Sequence, residues 1–172
     1  ARRVGFPQRY AAASLSKYIE ESKRIRIPLY DIYGRKFGDL HRAIKGFSKY
    51  QVPKALVFIP DASKRQDFYF PRAKYGIIRE LLLVEDVFSA IKCSRIKPTT
   101  ALCGTHIPLQ RIEKLCKLTT RITLVLDPDA VQKALKYAKE FSGLFDRVRI
   151  VQLPKDPKDC SMDILKKEIE GT

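Results

Sequence analysis

Histidine is scarce in this chain and paired cysteine is missing. The 172 residues hold two histidines, His41 and His106, and four scattered cysteines, Cys93, Cys103, Cys116 and Cys160, with no Cys-x-x-Cys among them. A zinc site, a Cys–His protease and a His-rich metal centre therefore have little to build from, and the cysteines read as reduced, partly buried thiols. A Gly-rich phosphate loop, a Gly-x-Ser-x-Gly elbow and a His-Glu-x-x-His helix are also absent. No segment approaches the roughly 20 apolar residues of a membrane span. The N-terminus is basic but lacks the apolar core of a signal peptide, and it opens on Ala1 rather than Met, as an excised fragment does. Acid is in short supply too: 19 Asp and Glu face 34 Lys and Arg, for a net charge of +15. Such an excess fits a polyanionic partner, nucleic acid or anionic lipid.

Apolar residues make up 45% of the chain, enough for one good core or two small subdomains. Gln8 to Lys23 reads as a helix with Tyr10, Leu15, Tyr18 and Ile19 on one stripe. A β-rich stretch follows: a strand at 26–30, a turn at Asp31 to Arg35, a hairpin partner at 36–43 and a strand at 55–59. Beyond about residue 73 the pattern changes to alternating strand and helix. Strands are expected at 81–85, 100–103, 122–127 and 147–153, with helices at 86–93, 108–118, 129–141 and 160–169. The expected fold class is α/β. A small N-terminal α+β subdomain, residues 1–75, precedes a parallel four-stranded sheet with helices on both faces, residues 76–172.

The scarce acids fall at telling places. The run Leu81 to Val84 ends in Glu85, and RITLVLDPDA, residues 121–130, ends in Asp127 and Asp129. Parallel topology puts all strand C-termini on one edge, so Glu85 and Asp127 converge if their strands are neighbours. A carboxylate set there suits Mg²⁺, which takes oxygen ligands and keeps waters and substrate phosphates in its shell. Each piece alone also has a bland reading, since an acid at a strand end caps a helix and Asp-Pro-Asp is an ordinary turn. The fourth strand leads into LPKDPKDC, residues 153–160, on the same edge. There Asp156 is a candidate outer carboxylate and Lys155 a phosphate contact, unless the segment is only a turn with Asp159 capping the last helix. In the first half, Arg42, Lys45, Lys49 and Tyr50 follow the hairpin as a basic and aromatic set suited to phosphates and bases.

Taken in order, these residues resemble the Toprim-containing catalytic core of DNA primases, most nearly that of phage primase-helicase proteins. The Toprim pattern of a strand followed by Glu-Gly-x-x-Asp-Ala, then a strand followed by Asp-x-Asp, corresponds to LLLVEDVFSAI and LVLDPDA. A Lys-Asp-Ala-Asn motif corresponds to Lys155-Asp156-Pro157-Lys158. In the first half, IPLYDIYGRKFGDLHRAI with Lys49-Tyr50 resembles the primase pattern of Pro-Ile-x-Asp, a Gly turn, Gly-x-x-x-Gly-Arg and Pro-Lys-Tyr. The resemblance spans roughly residues 24 to 165.

The resemblance implies metal-dependent synthesis of short RNA primers on a single-stranded DNA template, from ribonucleoside triphosphates. It makes Glu85, Asp127 and Asp129 the catalytic acids. Those three and Asp156 become ligands of Mg²⁺ (or Mn²⁺). Arg42, Lys45, Lys49, Tyr50 and Lys155 become nucleotide or DNA contacts. It further implies a helicase domain or partner, no membrane, and the cytoplasm of a bacterium or a phage-infected host. Two alternatives stay open: a degenerate primase-like module that only grips single-stranded DNA beside a helicase, and a Toprim nuclease. The chain departs from the pattern at Asp86, where the family has Gly, and at Ser89, where it has Asp. On the family pattern, Ser89→Asp is expected to tighten Mg²⁺ binding.

Overall fold

The computed structural model describes residues 24–43, 55–60, 69–71, 77–102, 107, 109–126 and 128–171. The expected helix at Gln8 to Lys23 lies outside them. The chain divides into two compact units, one of Ala1–Leu29 with Lys36–Arg65, the other of Tyr30–Arg35 with Gln66–Thr172.

The first unit carries a three-stranded sheet in the order β1-β2-β3, from β1 (Arg24–Tyr30), β2 (Lys36–Ala43) and β3 (Ala55–Phe58). β1 is an edge strand, the place in a sheet where a proline such as Pro28 is tolerated. β2 and β3 pair antiparallel, with Leu40 opposite Val57 and Arg42 opposite Ala55. Arg26 Nη2 donates to Asp39 Oδ2 at 2.8 Å. Burial pushes the Asp39 carboxyl up, but Arg26 and Lys36 outweigh it and hold the group below the usual carboxylate range. His41 is buried in β2, and burial lowers its pKa.

The turn at 31–35 is organised by one carboxylate. Asp31 Oδ1 accepts from the backbone N–H of Tyr33 and of Arg35, both at 2.9 Å, and Oδ2 accepts from Arg35 Nε at 2.9 Å. Gly34 sits at φ 76, where a β-carbon would clash, which is why glycine stands there.

The second unit is built on a four-stranded sheet of β4 (Leu81–Val84), β5 (Thr99–Ala101), β6 (Arg121–Val125) and β7 (Arg147–Val151). Their order is β5-β4-β6-β7 and every pairing is parallel. β4 is central, and all four of its residues are 0% exposed, as a strand covered on both faces must be. The helices are α1 (Val87–Cys93), α2 (Leu109–Cys116), α3 (Val131–Phe141) and α4 (Met162–Glu170). Among the described residues none is long and apolar enough to cross a membrane.

Side-chain alternation sorts the helices between faces. Leu81, Leu83, Ile122 and Leu124 form one core with Ile112 and Leu115 of α2 and Ala134, Tyr137 and Phe141 of α3. Tyr137 stacks on Phe141 at 5.7 Å between ring centroids, and Phe145 closes edge-on at 5.6 Å. Leu82 and Val84 point the other way, the face on which a right-handed crossover lays α1 between β4 and β5. Arg149 of β7 alternates with Val148 and Ile150, which pack against the α2–α3 core. Arg149 therefore faces the α1 side, where its guanidinium donates to the backbone carbonyls of Glu168, at 3.3 Å, and Ile169. That contact ties the C-terminal end of α4 to β7 and stabilises the helix C-terminus. The expected α/β sheet with helices on both faces is thus the fold observed. Cys93 and Cys160 are buried thiols, and burial pushes Cys93 up to about 12.

At the strand N-termini, Glu80 leads into β4. Its Oε2 accepts from Lys97 Nζ at 2.6 Å and its Oε1 from the buried Thr123 hydroxyl at 2.5 Å. Burial pushes this carboxyl up, but Lys97 and Thr123 win and lower its pKa. A group lowered in the folded state contributes stability that is complete above its unfolded value, about 4.3, and fades as pH falls through the folded value. Glu80→Gln is expected to cost about 1–2 kcal/mol at pH 7 in urea unfolding. The gap from the parent protein should narrow below pH of about 4. A gap independent of pH would remove the charge from the explanation.

Candidate active site at the sheet edge

The connection that leaves β4 runs over one face to β5, and the one that leaves β6 runs over the other face to β7. β4 and β6 are neighbours. Their C-terminal ends therefore bound the crevice of a topological switch point, where open α/β sheets bind ligands. Glu85 directly follows β4 and Asp129 sits in a short 3₁₀ turn, Pro128–Ala130, between β6 and α3. Asp127 lies outside the described residues. Lys155 and Asp156 follow β7, and so reach the same edge. Asp129 and Lys155 are exposed, and the Glu85 and Asp156 side chains are half-buried. Beside the Asp129 turn, a cavity of about 140 Å³ opens between β6, α3 and β7, lined by Leu126, Ala130, Val131, Ala134, Ile150 and Leu153, among others.

The Glu85 carboxylate meets a lysine. Lys133 Nζ, from the first turn of α3, donates to Glu85 Oε1 at 2.6 Å and lies 5.9 Å from the centre of the Tyr137 ring. Sequence reasoning missed Lys133. Its only sequence signal is a cation in the first helical turn after the Asp-x-Asp motif, where helix dipoles favour acids instead.

Asp86, standing where the family has Gly, is the N-cap of α1. Its Oδ1 accepts from the backbone N–H of Phe88 at 2.8 Å and of Ser89 at 3.3 Å. Its Oδ2 accepts from the Ser89 hydroxyl at 2.6 Å and lies 3.7 Å from Lys158 Nζ. Lys158 also donates to Asp156 Oδ2, so one ammonium joins the two carboxylates. Lys92, at the end of α1, ties down the same loop by donating to the carbonyls of Lys158, at 2.8 Å, and Cys160. Among the described residues no three metal-ligating side chains converge. Asp159 does not cap the last helix; it lies in a 3₁₀ turn, Pro157–Asp159, and the Ser161 hydroxyl caps α4 by accepting from Ile164 N–H at 3.3 Å. A serine at that point satisfies the helix without adding an acid.

Arg42 lies within β2, rather than beyond the hairpin, and is half-buried. Lys45, Lys49 and Tyr50 lie outside the described residues.

The surroundings of Ser89 point to a different outcome for Ser89→Asp. Its side chain is 0% exposed and is spent on Asp86. An aspartate there would bury a second carboxylate against the first instead of facing a cation. Ser89→Asp is thus expected to destabilise the protein by about 2 kcal/mol or more at pH 7, read as a lowered urea midpoint. Unchanged stability with tighter Mg²⁺ binding would restore the family-pattern expectation.

No protein-family model matches the chain, and no curated protein does. Solved structures do. The Aquifex aeolicus primase, comprising zinc-binding and RNA polymerase domains, superposes with a TM-score of 0.68 at 23% identity, over 94% of this chain and 48% of that one. A DnaG primase catalytic domain bound to single-stranded DNA gives 0.67 at 18% identity, over 94% and 59%. The primase fragment of the bacteriophage T7 primase-helicase protein gives 0.57 at 14% identity, over 90% and 69%. The chain spans about half the length of the first of these and three-fifths of the second. The chain, with its parallel β5-β4-β6-β7 sheet, has the fold of DNA primase catalytic cores.

Proposed function

We propose that this chain is the Toprim-type catalytic core of a DNA primase, which joins ribonucleotides on a single-stranded DNA template in a divalent-metal-dependent reaction. The observation that carries the reading is Glu85 at the β4 end of the switch-point crevice, in a fold shared with primase cores. The donors fit a hard cation. Glu85 and Asp129 offer carboxylate oxygens on one edge, and Asp129 is exposed to incoming ligands. In this reading Glu85, Asp127 and Asp129 hold Mg²⁺ or Mn²⁺, with Asp156 as an outer acid. A bound cation supplies charge stabilisation to the phosphates as bonds change.

The terminal 3′-hydroxyl oxygen attacks the α-phosphorus of the incoming triphosphate. One phosphorus–oxygen bond forms, the bond to the β-phosphate breaks, and pyrophosphate leaves. Glu85 serves this step as a cation ligand or as the acceptor of the hydroxyl proton. Lys155, exposed on the same edge, meets phosphate charge. In the first unit Arg42, with Lys45, Lys49 and Tyr50, contacts template or triphosphate; Arg42 brings a planar fork that a lysine does not reproduce. The cavity beside the Asp129 turn, apolar on most of its walls, suits the flat face of a nucleobase. A net charge of +15 favours the nucleic-acid partner by mass electrostatics. The structural likeness to a primase-helicase fragment supports a helicase domain or partner, with the cytoplasm of a bacterium or phage-infected host as the setting.

One observation favours a second reading. Ser89 stands where the family has an acid, and the carboxylate gained at Asp86 is spent on capping α1, so fewer acids on this edge are free for a cation, as in a module that only grips single-stranded DNA. One experiment separates the cases. With Mn²⁺, labelled ribonucleoside triphosphates and single-stranded DNA, the chain is expected to make short RNA. Glu85→Gln is expected to lower synthesis by about 100-fold or more while DNA retardation in gels persists. Shortened DNA would identify a nuclease instead, and retardation without products a binding module.

A further inference from the structure

Glu85 and Lys133 are paired across 48 residues of sequence, and both side chains are about three-quarters buried, at 25% and 23% exposure. The lysine is well supported: it rises from the first turn of α3, immediately after the turn that carries Asp129, and lies over the ring of the buried Tyr137. Its Nζ takes the Oε1 oxygen at 2.6 Å. A dication ligated by either oxygen of that carboxylate would stand close to the ammonium, and in a partly desolvated crevice their repulsion is strong. That repulsion favours withdrawal of the ammonium when a cation arrives. A lysine can leave, because its four-carbon stem is flexible and its charge is a point with no fixed fork to match. The stem keeps its root on α3, so the displaced ammonium stays at the mouth of the crevice, where a cation on Glu85 would bring in polyphosphate.

We propose that Lys133 and a divalent cation exchange at Glu85: Lys133 neutralises the carboxylate before the cation arrives and, once displaced, binds the phosphates of the nucleoside triphosphate. This rests on the reading of Glu85 as a cation ligand. It makes Lys133 a substrate-binding residue presented only to a metal-loaded site. Cation binding then comes before productive triphosphate binding, and triphosphate in turn strengthens cation binding, since coupling between two ligands is reciprocal.

The test uses the full 172-residue chain and four proteins: the parent, Lys133→Met, Lys133→Arg and Glu85→Gln. Calorimetry measures Mn²⁺ alone, then ATP in saturating Mn²⁺, and urea unfolding measures stability. Methionine keeps an unbranched stem against Tyr137 and removes the charge. Lys133→Met is expected to bind Mn²⁺ about fivefold more tightly than the parent and ATP about fivefold more weakly. Lys133→Arg, which retains the charge, is expected to keep ATP affinity within about twofold. Mn²⁺ affinity unchanged or weakened in Lys133→Met, with a lower urea midpoint, would show a purely structural ion pair and overturn the exchange. Tighter Mn²⁺ with unchanged ATP affinity would overturn the phosphate-binding half. Mn²⁺ binding by Glu85→Gln equal to that of the parent would instead remove the reading of Glu85 itself, whatever Lys133 does.

Discussion

The rest of the second unit depends on the burial of one short strand. β4 has only four residues, all without solvent exposure, and it pairs on both edges. Its two faces anchor different cores: Leu81 and Leu83 hold α2 and α3, while Leu82 and Val84 face the α1 side. Because β4 is the first strand of the sheet and sits between the second and the third, the chain must reverse direction around it. That reversal opens a crevice at its C-terminal end, and the first residue past the strand is Glu85. Hydrophobic burial therefore decides where the acid goes. The carboxylate contributes nothing to the core that places it.

Electrostatics at the two ends of the sheet differ in kind. At the N-terminal end Glu80 is satisfied by a lysine and a buried hydroxyl, and Arg149 caps a helix, so these charges stabilise the fold. At the C-terminal end the acids outnumber what the backbone can satisfy. Glu85 is met by Lys133, Asp156 by Lys158, and Asp86 by two backbone N–H groups and a serine. Side-chain ammonium groups are exchangeable partners, while a helix N-cap is a fixed one. On that basis Glu85 and Asp156 keep exchangeable partners, and Asp86 is committed to the start of α1.

Much of this is legible in the sequence. Four apolar runs separated by helical periodicity point to the parallel sheet, and the acids at the ends of 81–84 and 121–125 follow from reading where those runs stop. Local detail was less legible. The helix expected from Asp129 begins as a 3₁₀ turn and becomes α only at Val131, and a second 3₁₀ turn at Pro157–Asp159 takes Asp159 away from α4. Proline at a helix entry signals a start but not which kind of turn. Ser89 read as a missing ligand because the family pattern was the only guide; its burial and its bond to Asp86 are tertiary facts. The Glu85–Lys133 pair joins two elements far apart in sequence, and no local periodicity encodes such a contact.

The reading of Glu85 as a divalent-cation ligand in the β4–β6 crevice stands or falls on where the metal sits. The most direct measurement is a crystal structure of the chain grown with Mn²⁺, phased to reveal the metal by its anomalous scattering. The expected peak lies within about 2.0–2.5 Å of a Glu85 oxygen and of at least one carboxylate of Asp127 or Asp129. Lys133 Nζ should then be withdrawn from the 2.6 Å contact. A fully occupied Mn²⁺ elsewhere, with Lys133 still seated on Glu85, would contradict it.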